Sequence, residues 1–99
     1  MMNRMYFKII YRNGTARDIA EFVREENGEF VFKYLQNETE FPGLPLENKE
    51  YKSKTLWEPI MFRIPNTLRN QFPATPPEEL LEKTFGKLVT DHFEFLKQQ

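Results

Sequence analysis

His92 is the only histidine in the chain and Ser53 the only serine, so any Ser-His-Asp relay must use both. Ser53 lacks the flanking glycines of a nucleophile elbow. His92 stands between Asp91 and Phe93 with no second histidine and no cysteine, so a zinc site lacks its donors. It reads as a residue of an amphipathic helix. Glu25-Glu26 and Glu78-Glu79 are neighbouring carboxylates. The first pair leads into a turn and the second opens a helix, where acids complement the helix dipole. The glycines Gly14, Gly28, Gly43 and Gly86 stand alone, so no phosphate-cradling loop exists. These residues supply no catalytic constellation. The expectation is a protein that is not an enzyme, with no metal and no cofactor.

What remains is the chemistry of contact, and it gathers in Thr55–Arg69, TLWEPIMFRIPNTLR. Trp57 is the only tryptophan, and tryptophan is enriched at interface hot spots. Lys52, Lys54 and Glu58 surround it with charge. The candidate partner-binding residues are therefore Trp57 as anchor, with Glu58 and Arg63 at its rim. Arg69 is a further candidate for a carboxylate or phosphate of the partner. A large aromatic also serves a small core, so both directions for the indole stay open. Ile60, Met61 and Phe62 cannot all face inward from a short helix, and two of the three are expected in the core.

Ninety-nine residues make one domain, 1–99, with one modest core. Ten Phe and four Tyr make that core aromatic, and the lack of cysteine fits a reducing compartment. The opening MMNRMYFKII has neither the long apolar region nor the cleavage site of a signal peptide. No run approaches the roughly 18 apolar residues of a membrane span. The expected location is the cytoplasm. Fourteen basic against fifteen acidic residues give a net charge of −1, without the basic stripe of a nucleic-acid binder.

The elements that must position these residues are an α+β set. Met5–Arg12 and Arg17–Glu25 read as strands, and Phe30, Phe32 and Tyr34 share one face of a third. Asn13-Gly14 and Asn27-Gly28 are tight-turn signals between them, so the three form an antiparallel meander. Phe41–Leu46, FPGLPL, is an edge strand or a crossing segment. Glu47–Lys54 is charged and exposed. A short helix is expected around residues 55–63, capped by Ser53 or Thr55, with Thr55 and Glu58 at capping-box spacing. Thr75-Pro76-Pro77-Glu78 starts a C-terminal helix with Thr75 as cap. Leu81, Phe85 and Leu88 form its core stripe. Gly86 can break it, and Thr90 or Asp91 can then cap a second helix carrying Phe93, Phe95 and Leu96.

The order of features up to Arg69 resembles the small N-terminal subdomain of HipA-type serine/threonine kinases, the toxins of bacterial toxin–antitoxin modules. That family has a three-stranded unit ending in F-x-Y, here Phe32 and Tyr34, then L-P-L, here Leu44, Pro45 and Leu46. A tyrosine with a nearby small residue follows, here Tyr51 and Ser53, then Pro and Phe, here Pro59 and Phe62. An apolar-Pro pair and an Arg close the pattern, here Ile64, Pro65 and Arg69. The family's Glu-Gly after that proline is replaced by Asn66-Thr67, and the kinase body does not follow. A free-standing subdomain of this kind is similar to HipS, the small protein of HipBST modules. The resemblance implies an antitoxin that binds and inhibits a HipT- or HipA-like kinase, with a HipB-like helix-turn-helix protein carrying the DNA contact. It leaves Pro59, Phe62 and Pro65 as scaffold. The alternatives are a non-inhibitory regulatory or structural subunit of such a kinase, or a small nucleic-acid-binding module.

Overall fold

The computed structural model describes residues 3–88 and 90–98; the expected domain's Met1, Met2, Val89 and Gln99 lie outside the described residues. Strands β1 (Met5–Asn13), β2 (Thr15–Arg24) and β3 (Phe30–Tyr34) form the expected antiparallel meander. Asn13-Gly14 and Asn27-Gly28 turn the chain, both glycines at positive φ. One irregularity interrupts the period of two. The β1–β2 register shifts between Ile9 and Ile10, so Ile9 pairs Ala20, Ile10 pairs Asp18, and Ile19 is the extra residue of a bulge. The bulge delivers Ile19 to the core beside Ala20, where strict alternation would have sent it to the other face.

Two more strands complete the sheet. β4 (Glu50–Ser53) pairs with β3 and β5 (Phe93–Gln98) pairs with β1, giving the order β4-β3-β2-β1-β5, antiparallel throughout. Both differ from expectation. The charged stretch around Lys52 holds an edge strand, while Phe41–Leu46 contributes only an isolated bridge between Phe41 and Leu44. The residues expected in a second C-terminal helix form β5. Phe93 and Phe95 lie two apart, and a strand puts both on the face that meets Phe41 and Phe7. Asp91 accepts the N–H of Phe93 at 3.2 Å and so starts a strand instead of capping a helix.

The helices are α1 (Glu58–Met61), α2 (Asn66–Gln71) and α3 (Pro77–Thr84). No described helix is long and apolar enough to cross a membrane. Ile60, Ile64, Leu80 and Leu81 close over Met5, Phe7, Ile9, Phe22, Phe32 and Phe95 in one core. The Phe rings there meet mainly edge to face, with Phe22 and Phe30 stacked at 5.9 Å. The N-cap of α3 is Pro76, with no side-chain bond, so the expected cap Thr75 makes none. At the other end Phe85 turns left-handed, φ 60°, and breaks the helical stripe. Phe85 and Leu88, expected in the core with Leu81, are therefore 44% and 36% exposed. Gly86 follows because a Cβ there would lie 2.6 Å from Cδ1 of Phe95.

A buried ion cluster fixes α3 to the sheet. Arg24 donates to Glu78 at 2.9 Å and Glu79 at 2.8 Å through Nη1, and to the Asn3 carbonyl through Nη2. Burial alone would lower the guanidinium's pKa. Bonds and charge from Glu79 and Glu78 outweigh it and hold the group above its ordinary value. Glu78 and Glu79 are neighbours in sequence that share one counter-ion.

Tyr34 organises the crossing segment. Its buried hydroxyl donates to the Leu44 carbonyl and accepts the Phe41 N–H at 2.8 Å. Burial raises the phenol above its ordinary pKa, against the lowering effect of the Phe41 N–H. A raised folded-state pKa means the contribution is complete below the unfolded tyrosine value of about 10 and is lost as pH climbs through the folded one. Tyr34→Phe should cost about 1–3 kcal/mol at neutral pH, because two backbone groups lose a partner. Urea unfolding of the variant should also show a shallower loss of stability above about pH 10 than the parent. An identical alkaline slope in the two proteins would contradict this assignment.

Candidate functional site

Ser53 and His92 occupy the two ends of the sheet order. Ser53 ends edge strand β4 and His92 immediately precedes edge strand β5. Four strand spacings of about 4.8 Å separate the two edges, so these side chains cannot form a relay. Ser53 Oγ accepts the Thr55 N–H at 3.1 Å, and the His92 ring stands edge-on to Tyr11 at 5.9 Å.

The contact residues of Thr55–Arg69 sit on α1, α2 and the turn between them. Helix α1 is shorter than the 55–63 expected and starts later. Its N-cap is Trp57, whose carbonyl accepts the N–H groups of Ile60 and Met61 at 3.1 and 3.0 Å. Neither Thr55 nor Ser53 caps it, because Pro59 in the first turn fixes the start at Glu58. Pro65 caps α2, six residues that expectation left out.

Four residues of helix then sort the side chains. Ile60 is fully buried, Met61 is half-buried, and Phe62 at the C-cap is 73% exposed. Only one of the three apolar residues enters the core completely. Phe62, expected as scaffold, is instead the most exposed large apolar side chain among the described residues.

Trp57 is half-buried. Its ring lies 6.4 Å from Phe22, 6.5 Å from Phe30 and 6.4 Å from Phe32, so the indole closes one side of the core. Its ring N–H makes no hydrogen bond among the described residues. Glu58 beside it is exposed and in no ion pair among the described residues.

Arg63 departs from its expected place at a rim, being 2% exposed. Its Nη1 donates to the Gly86 carbonyl at 3.0 Å and to Asp91 at 3.2 Å, and Nη2 donates to the other Asp91 oxygen. The guanidinium lies 4.7 Å from the Phe41 ring and 5.5 Å from Phe93. Desolvated, paired with Asp91 and set against the edge-to-face pair Phe41 and Phe93, whose rings lie 5.2 Å apart, it is an internal strut. Arg69 is half-buried on α2, donates to the Asn66 side chain, and has a buried Nε without a partner among the described residues. The structure thus places Trp57 and Phe62 at the two caps of α1, with Glu58 exposed between them, and removes Arg63 from the surface.

Breaking a buried charge pair by removing one member costs about 3–5 kcal/mol, because the other charge stays behind. Asp91 keeps some access to water, so Arg63→Ala should cost about 3 kcal/mol in urea unfolding. A loss of under about 0.5 kcal/mol, typical of surface changes, would return Arg63 to the surface set.

Comparisons of the chain with protein-family models, curated proteins and solved structures return no match. Geometry and the sequence motifs therefore carry the functional argument: a small α+β protein presenting an exposed phenyl at the end of α1.

Proposed function

We propose that this protein is an antitoxin of the HipBST type. It binds a HipT- or HipA-like serine/threonine kinase in the cytoplasm and inhibits it by direct contact, with a HipB-like helix-turn-helix protein as third member. Exposure of Phe62 carries this reading. A phenyl ring 73% in water, on a backbone restricted by Pro59 and Pro65, has apolar surface still to bury. Such rings act as anchors when a partner offers an apolar hollow. The Trp57 indole edge and Glu58 supply the polar surround.

The motifs behind the resemblance also support it, because they touch one another. Tyr34 of F-x-Y bonds the carbonyl of Leu44, and Tyr51 bonds the carbonyl of Pro45 between the two leucines. Ile64 of the closing pair lies in the core. Residues far apart in the pattern thus build one scaffold behind α1, and the order of motifs has a physical reason.

Phosphorylation assays with the kinase, with and without this protein, test the role. The expected result is dose-dependent inhibition, whereas activation makes the chain a supporting subunit. Phe62→Ala should unfold within about 0.5 kcal/mol of the parent, as a surface change does. In titration calorimetry it should bind the kinase about 30-fold more weakly, the effect of losing about 2 kcal/mol at a hot spot. Trp57→Ala should differ by lowering fold stability about 2 kcal/mol or more, since the indole packs on three Phe rings. Full binding by Phe62→Ala would discard this surface.

A further inference from the structure

Asn13-Gly14 and Asn27-Gly28 are the places in the chain where glycine follows asparagine. Such a step has a chemistry of its own. The backbone nitrogen after an asparagine can attack that residue's side-chain amide carbon, and glycine has no Cβ to obstruct the approach. The reaction needs a free backbone N–H, an amide that can turn toward it, and a backbone that can yield. The fold grants these at one step and withholds them at the other.

At Asn27 the nucleophile is occupied. Gly28 N–H donates to the Glu25 carbonyl at 2.9 Å. Glu29 N–H donates to Asn27 Oδ1 at 2.9 Å and holds the amide in one orientation. Glu25 N–H closes the same turn on the Glu29 carbonyl at 2.8 Å. Buried Arg24 and Phe30 root the turn on either side. Of its carboxylates Glu25, Glu26 and Glu29, only Glu25 has an ion pair among the described residues, with Arg4. The local charge is therefore negative and opposes loss of the Gly28 amide proton.

At Asn13 these restraints are missing. Gly14 N–H has no hydrogen-bond partner among the described residues. Asn13 Nδ2 lies 3.5 Å from the Tyr11 hydroxyl, at the far limit of bonding reach. Every residue from Arg12 to Asp18 is exposed, so this hairpin tip opens at little cost. The ion pairs of Arg12 with Glu94 and Arg17 with Glu38 tie it down weakly, being surface pairs. A Cβ on Gly14 would meet no atom within 4 Å, so the backbone there has room to move.

We propose that Asn13 is a self-modification site, where the Gly14 nitrogen and water convert the side-chain amide to aspartate and isoaspartate. The Gly14 nitrogen gives its proton to solvent and attacks Cγ of Asn13. A new C–N bond forms, the Cγ–Nδ2 bond breaks, and the amine takes a proton from solvent and leaves as ammonia. Water then opens the cyclic imide. Attack at Cγ restores the backbone as aspartate. Attack at the main-chain carbonyl leaves isoaspartate, whose backbone runs through Cβ and Cγ. The balance requires only water. Either product adds a carboxylate next to Arg12, and isoaspartate lengthens the hairpin by one methylene.

The purified protein, kept in warm, mildly alkaline buffer, is followed by peptide mass spectrometry. Residue 13 should convert about tenfold faster than residue 27, the factor set by hydrogen bonds of about 1.4 kcal/mol that must open first. In urea both turns are open and the two rates should draw level. Ammonia release should lose its fast phase in Asn13→Gln and keep it in Asn27→Gln. Equal rates in the folded protein, or faster conversion at residue 27, overturn the site. Residue 27 remaining slow in urea traces the difference to neighbouring side chains and overturns the role given to the fold.

Discussion

The rest of the structure leans on one buried cation. Arg63 sits against the Phe41 and Phe93 rings, which also contact each other, with its fork on Asp91 and the Gly86 carbonyl. Removing a guanidinium from water costs several kcal/mol, so every one of those partners must be held in place. The consequences spread outward. The end of α1 is held to the loop before β5, which fixes where Phe62 can point. The Phe85 turn is fixed by the same carbonyl contact next door, and that turn shields one sheet edge, where the Phe85 carbonyl takes the Phe95 N–H at 2.6 Å. A position that sequence reading treats as a surface charge turns out to connect α1, the crossing segment and the last strand.

The meander was the legible part of the fold. Two Asn-Gly steps and a period of two leave little choice for β1 to β3, and only the bulge at Ile19 lay beyond them. β5 was misread because FEFLK fits either a helix or a strand at its length; the Phe93–Phe95 spacing was the clue, outweighed by the cap signals ahead of it. β4 was missed because it has four residues, two of them charged, and owes its place to Tyr51 packing on Phe32. α2 carries no fully buried residue and no side-chain cap, so it left no mark on the pattern.

The candidate site was legible as a region but not as directions. Trp57 stood out because it is unique, yet whether an indole faces in depends on Phe22, Phe30 and Phe32, which lie 25 to 35 residues earlier. Arg63 owes its burial to Asp91, 28 residues later, and no local rule connects them. Which of Ile60, Met61 and Phe62 faces water follows from where a four-residue helix starts, and a shift of the cap from Thr55 to Trp57 rotates all three.

The place of β5 next to β1 has a temporal consequence. The first and last strands of the sheet are partners, so the most distant pairing along the chain adds the edge strand that flanks β1. Pairings of long sequence separation are the slow step of small domains, because loop entropy is lost before contacts repay it. During synthesis the meander can form early, but Phe7 stays uncovered by Phe95 until the β5 segment leaves the ribosome. Arg63 likewise lacks Asp91 until then. The turn after α1 is therefore braced only once the β5 segment has been made, and until then the meander exists without that lock.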